Sequence, residues 1–110
     1  MTLTTTGRKT GKSREVRLYA WEDGDRLVIV GSRGGSARNP AWVHNLRADP
    51  RTIVRRGKAT DEMRAHEVEG GEERERLWQL VTAAFPLYKS YQRRTARTIP
   101  LFVLESAAAD

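Results

Sequence analysis

Cysteine is absent from the 110 residues of this chain. Disulfides, thiolate metal sites and thiol nucleophiles are excluded with it. Histidine is scarce: only His44 and His66 occur. Neither stands at ligand spacing from paired carboxylates, so no metal site is expected. No apolar run approaches the roughly 18 residues of a membrane-spanning helix, and the first residues hold no apolar leader core. The expected location is the cytoplasm, whose reducing conditions suit a chain without disulfides. A dinucleotide fingerprint is missing, since no G-x-G-x-x-G follows an apolar run. Gly11-Lys12-Ser13 resembles the end of a P-loop, but the glycine required five residues before Gly11 is Thr6. The residues after it also alternate as a strand, where a P-loop opens a helix. Ser32 has no histidine and acid recognisably placed to activate it, so a hydrolase triad is unsupported.

What the chain does have is positive charge, unevenly spread. Residues 1–58 carry 13 basic and 5 acidic side chains, and residues 59–110 carry 7 and 9. A basic half of net +8 beside a half of net −2 points to a polyanionic partner for the first half. Nucleic acid, anionic lipid and a phosphorylated, carboxylated cofactor all satisfy that condition. The length suits one domain, residues 1–110, with a single core.

Hydrophobic period and turn chemistry give the elements. Leu3–Thr6 reads as a strand, and Gly7-Arg8-Lys9-Thr10-Gly11 as a tight basic turn. Ser13–Trp21 alternates as one strand, Asp23-Gly24 marks a hairpin, and Arg26–Val30 returns. Asn39-Pro40 reads as an N-cap and first helical residue, opening a helix to Ala48 with Trp42, Val43 and Leu46 on one side. Strands are expected at Arg51–Arg56, Ala59–Val68 and Ile99–Glu105. Glu72–Phe85 is expected to be helical, acidic in its first turn, followed by a helical turn at Leu87–Arg94. Residues 106–110 are expected to fray. The sum is an α+β, mainly β chain: an antiparallel barrel of about six strands with flanking short helices, because the strands connect mostly by hairpins.

The stretch from Gly31 to Trp42 stands at the centre of the functional reading. A buried strand opens into a loop whose N–H groups at Gly31, Gly34 and Gly35 are expected to be uncovered, with Arg33 and Arg38 beside them. Such a loop suits an anion, phosphate above all. A second basic turn carries Arg8, Lys9, Lys12 and Arg14. Two such turns on one rim of a barrel would hold one extended anion through charge-assisted hydrogen bonds. Phe85, Tyr88 and Tyr91 recur every three residues. That spacing suits core packing, yet the polar neighbours of the tyrosines also suit a pocket mouth.

Taken together, Thr4–Gly11, Ser32–Gly35, Asn39–Leu46, Ala48-Asp49-Pro50, Phe85–Gln92 and Thr98-Ile99-Pro100 resemble the deazaflavin-dependent nitroreductase family, in order and over nearly the whole chain. The resemblance implies a split β-barrel related to flavin-mononucleotide-binding oxidoreductases. It implies coenzyme F-420, an 8-hydroxy-5-deazaflavin with a phosphate and a polyglutamate tail, with flavin mononucleotide as the lesser alternative. By resemblance, Lys9, Thr10, Arg14, Ser32, Arg33, Gly34 and Gly35 bind the phosphate or tail. Asn39, Pro40 and Trp42 shape the wall beside the ring, and Tyr88 and Tyr91 face the substrate as the catalytic pair. The implied activity is hydride transfer to a quinone, nitroaromatic or activated alkene, with peripheral contact at a membrane where the acceptor is a membrane quinone. A homodimer is also implied. Phe85 stands where the family often has tyrosine. The family also carries a segment before the first strand, and its absence would open the substrate pocket. The alternatives are a cofactor carrier without turnover and a basic module that binds nucleic acid. The second is disfavoured because the aromatic residues do not interleave with the basic loops.

Overall fold

Strand β4, Arg26–Val30, is apolar at four consecutive positions and buried at all four. A strand of that pattern must be covered on both faces, and the architecture follows from it. The computed structural model describes residues 1–107; Ala108–Asp110, where most of the expected frayed tail falls, lie outside the described residues. The strands are β1 (Thr2–Thr6), β2 (Ser13–Arg17), β3 (Trp21–Asp23), β4, β5 (Arg51–Arg56), β6 (Ala59–Glu67) and β7 (Leu101–Ser106). The helices are α1 (Ala41–Ala48), α2 (Gly71–Ala84) and α3 (Leu87–Arg93). Ser106, expected in the tail, ends β7 instead.

All seven strands form one antiparallel sheet in the order β2-β1-β5-β6-β7-β4-β3. The expected count of about six is corrected to seven, because the run Ser13–Trp21 is two strands. Leu18 still continues the β1–β2 ladder: its N–H donates to the Met1 carbonyl at 3.0 Å, and the Met1 ammonium donates to the Leu18 carbonyl at 2.9 Å. Trp21 then pairs with Val28 at the opposite edge. This connection dictates the curl. In a flat sheet the two edge strands would lie about 29 Å apart, at about 4.8 Å per strand step. The backbone from Arg17 to Trp21 reaches at most about 14 Å. The sheet therefore rolls until its edges approach, which makes the expected split antiparallel barrel.

Rolling creates an inside and an outside. Leu3, Leu27, Ile29, Val54, Met63, Ala65, Phe102 and Leu104 meet inside, closed by Trp42, Val43 and Leu46 of α1. The alternate residues of β4 and β7, Val28, Val30, Leu101 and Val103, face outward and are covered by Leu77 and Val81 of α2 and Tyr88 of α3.

Candidate functional site

The turn between β1 and β2 is closed at its base. Gly7 N–H donates to the Lys12 carbonyl at 2.8 Å, and Gly11 N–H to the Gly7 carbonyl at 2.8 Å. That closure pushes Arg8, Lys9 and Thr10 outward, and all three are exposed. The turn is also tied to α1. The Arg8 N–H donates to Asn45 Oδ1 at 3.1 Å, while Asn45 Nδ2 donates to Thr5 Oγ1 at 3.1 Å. Asn45 is 6 % exposed, so a buried amide fixes the distance between the first basic turn and the helix that follows the second.

The second loop turns left-handed. Arg33, Gly34 and Gly35 have φ of 44°, 62° and 82°, and Arg33 is the sole non-glycine with positive φ among the described residues. Gly35 N–H donates to the Ser32 carbonyl at 2.9 Å and Ser36 N–H to the Arg33 carbonyl at 3.1 Å. A left-handed arginine costs about 1–2 kcal/mol, and such outliers concentrate at functional positions. The expectation of three uncovered glycine amides is corrected. The Gly31 N–H donates to the Pro100 carbonyl at 2.9 Å, and that of Gly35 is spent within the turn. Close approach explains both residues: an added Cβ would sit 2.8 Å from Val43 Cγ2 at Gly31 and 2.7 Å from the Tyr91 carbonyl oxygen at Gly35.

Arg97 holds this loop, and sequence reasoning passed it over. Its Nε donates to the Ser36 carbonyl at 2.8 Å, Nη1 to the Gly31 carbonyl at 3.0 Å and Asn39 Oδ1 at 2.7 Å, and Nη2 to the Ser32 carbonyl at 2.8 Å. The Asn39 side chain is therefore a partner of Arg97. The expected N-cap is corrected: α1 starts at Ala41 behind Pro40, with no side-chain cap. Burial and the charge of Arg33 push the Arg97 guanidinium below its ordinary range. Among the described residues it has no carboxylate partner.

The two loops line one cleft of about 1250 Å³. Lys9, Thr10 and Arg14 come to it from the first turn and β2, and Ser32, Arg33, Asn39, Pro40 and Trp42 from the second loop and α1. Gly34 and Gly35 shape the loop without lining the cleft. Arg8, Arg17, Arg38 and Arg97 add further cations, against one acid, Glu15. Val16, Leu18, Val30 and Trp42 give the cleft an apolar stretch of wall, beside the polar Thr5 and Asn45. His44 also lines it, its imidazole held below the ordinary value by burial first and by the charges of Arg8 and Arg47.

Tyr88 and Tyr91 are not part of this lining. The expected polar setting is corrected for Tyr88, which is 5 % exposed. It packs edge-on to Phe85 at 4.7 Å, and its hydroxyl accepts a bond from Trp21 Nε1 at 3.2 Å. Burial pushes its phenol up, so it stays protonated. Tyr91 is half-buried beside the same ring. This aromatic ledge adjoins the cleft through Val30, which packs in one apolar cluster with Tyr88 and Tyr91.

Comparison with known proteins bears on this arrangement. Residues 1–106 match the model of the family described as F420H(2)-dependent quinone reductase. An F420H(2)-dependent quinone reductase of Mycobacterium tuberculosis (strain ATCC 25618 / H37Rv) is 40 % identical over 104 residues, covering 93 % of this chain and 70 % of that one. A solved F420-H2 dependent reductase superposes with a TM-score of 0.85 at 41 % identity, over 94 % of this chain and 91 % of its own. A second structure, described as a domain-swapped dimer, gives the same TM-score and identity over 94 % of this chain and 78 % of its own. A match running the full length of the sheet and through both basic loops, at this identity, decides the relationship: the chain belongs to the F420H(2)-dependent quinone reductase family.

Proposed function

We propose that this protein reduces a quinone or a similar electron-poor acceptor, with reduced coenzyme F-420 held in the cleft between the two basic turns. The observation that carries the reading is that Lys9 and Arg33, 24 positions apart in the chain, line one cavity whose cations far outnumber its single acid. The residues fit the group: a phosphate and carboxylates need cations without competing partners, and Arg8, Lys9, Arg14, Arg33 and Arg38 enter no ion pair among the described residues. A planar ring needs an apolar wall, which Val16, Leu18, Pro40 and Trp42 provide.

When bound, the reduced deazaflavin supplies the hydride. The chain's own residues do the rest. Lys9, Thr10, Arg14, Ser32 and Arg33 hold the anionic part, with the exposed Gly34 at the tip of the loop. Gly35 and Asn39 keep that loop in shape. Of the tyrosine pair expected to face the substrate, the half-buried Tyr91 is the one able to offer a hydrogen bond to an oxyanion developing on the acceptor, with the buried Tyr88 packed edge-on behind it. Holding the acceptor in a fixed approach to the ring supplies the larger share of the rate. The curled sheet further supports kinship with flavin-mononucleotide-binding split barrels, and the domain-swapped relative supports a homodimer. Residues 77–104 hold no acid, and of their four cations Lys89, Arg93 and Arg94 are exposed on or beside α3. With the exposed Leu87 on α3, they support peripheral contact with an anionic membrane that carries the quinone.

Titration of the tryptophan fluorescence with oxidised coenzyme F-420 tests the reading. Quenching saturates for the unaltered protein, and Lys9→Ala or Arg14→Ala weakens it about tenfold, the loss expected for one charged contact. Oxidation of the reduced coenzyme in the presence of menadione then distinguishes an enzyme from a carrier. A flat titration removes the proposal.

A further inference from the structure

We infer that His44, with Arg8 and Lys9 from the facing turn, forms an anion subsite of the cleft that is neutral when empty and takes up one proton when a carboxylate or phosphate enters. The inference rests on the reading of the cleft as a cofactor site and adds a residue and a proton to it.

Position carries the argument first. His44 lies on α1 next to Asn45, the residue that accepts the Arg8 N–H. The imidazole and the Arg8 and Lys9 side chains line the same cavity. The helix that carries His44 and the turn that carries Arg8 and Lys9 are therefore fixed relative to one another by a buried amide.

The charges around the ring come next. The β1–β2 turn brings Arg8 and Lys9 to the same cleft, and Arg14, Glu15 and Arg38 also line it. From its own helix the ring faces Arg47, whose charge is already spent on a two-pronged bond to Glu67 at 2.8 and 2.9 Å. Burial first, and then the charges of Arg8 and Arg47, disfavour the charged imidazole, and of the two arginines only Arg8 is without a carboxylate partner among the described residues. The ring is thus neutral near pH 7 because it is half-buried among cations. An anion that enters beside Arg8 reverses the balance: it cancels the repulsion and offers the imidazolium a partner. A protonated His44 then donates a charge-assisted hydrogen bond that the neutral ring makes more weakly.

Linkage fixes the sign. The bound state has the higher His44 pKa, so affinity rises as pH falls through that value and levels off below the lower value of the free protein. One unit of difference between the two states corresponds to a tenfold change in Kd.

The chain has only two histidines, so the imidazole proton resonances can be followed individually, with His66→Gln to assign them. His44 is titrated in the free protein, with saturating oxidised coenzyme F-420, and with inorganic pyrophosphate. The expected result is a midpoint below 6.5 when free, raised by about one unit by either anion, while His66 is unmoved. In parallel, His44→Gln removes the proton uptake seen when coenzyme binding is measured calorimetrically in two buffers of different ionisation heat. Coenzyme that quenches fluorescence yet leaves the His44 midpoint in place overturns this inference and spares the cofactor site. A shift with pyrophosphate but no coenzyme binding does the reverse. No shift with either anion also overturns it.

Discussion

Arg97 shows how one side chain sets the shape of a binding loop without being visible in the sequence. Its four acceptors stand 58 to 66 residues earlier in the chain, and three of them are main-chain carbonyls, which any sequence would offer. The glycines announced the loop; nothing local announced what holds it. The planar fork is the reason for arginine here, since an ammonium cannot address oxygens spread around a plane. Arg97→Gln is expected to cost about 2–3 kcal/mol in urea unfolding, the range for bonds made by a charged group. It is expected to weaken coenzyme binding more than tenfold as the left-handed turn at Arg33 relaxes. Arg97→Lys keeps the charge and recovers little of either. Recovery by lysine in the fluorescence titration would mean that charge, and not the fork, is what the loop requires. The tyrosines teach the converse lesson. The three-residue spacing of Phe85, Tyr88 and Tyr91 was legible, and the polar letters around Tyr88 suggested exposure. In the fold its ring turns inward, because α3 covers the outer face of β4 and β7.

At the scale of elements, the sequence was most readable where burial is continuous or turns are unambiguous. The apolar run of β4 and the helix ahead of Asp49-Pro50 needed no tertiary information. The break at Leu18–Ala20 did need it, since it lies where the chain passes from pairing with β1 to pairing Trp21 with Val28 at the opposite edge of the sheet. The short β3 created by that break is pinned by charge. Asp23 accepts from Arg26 Nη2 at 2.7 Å and from Arg76 Nη1 and Nη2 at 2.9 and 3.0 Å, joining the β3–β4 hairpin to α2. Glu73 also accepts from Arg26, at 3.1 Å. The hydrogen bonds from Arg76 and then Arg26 hold the Asp23 carboxyl well below the usual carboxylate range. A depressed folded-state pKa contributes stability above the unfolded value, and that contribution fades as pH falls below about 4. Asp23→Asn is therefore expected to lose about 1–2 kcal/mol at pH 7, a modest figure because Arg76 is half exposed to screening water. Thermal melts from pH 7 to pH 2.5 check this. The gap between the two proteins should narrow progressively below about pH 4 without closing by pH 2.5, because the folded-state carboxyl still ionises there; a gap of unchanged size from pH 7 to pH 2.5 would place the effect of the substitution elsewhere.

For the whole molecule, charge and topology serve the same end. Six of the 13 cations in residues 1–58 line one cleft, because the curl of the sheet and the Asn45 tie bring the first turn to the second loop. Spread over a surface, these charges would attract polyanions of any kind with little preference. Gathered around an apolar-walled cleft, they suit a compact anion that also has a flat, uncharged part. A surface field and a cleft respond differently to salt. Between 0.05 and 0.5 M sodium chloride the Debye length shrinks from about 14 to about 4 Å, so exposed attraction is lost and the desolvated contacts survive. Coenzyme F-420 is expected to bind about tenfold more weakly at the higher salt and still saturably. A Lys9→Ala/Arg33→Ala double variant should bind weakly at both and show little dependence, because the charges that salt screens are already gone. A nucleic-acid surface predicts the opposite pattern: steep loss for DNA or RNA along the same series, with the coenzyme indifferent to both substitutions. The two patterns do not overlap, so one salt series on two proteins decides whether the basic half of this chain is a surface or a site.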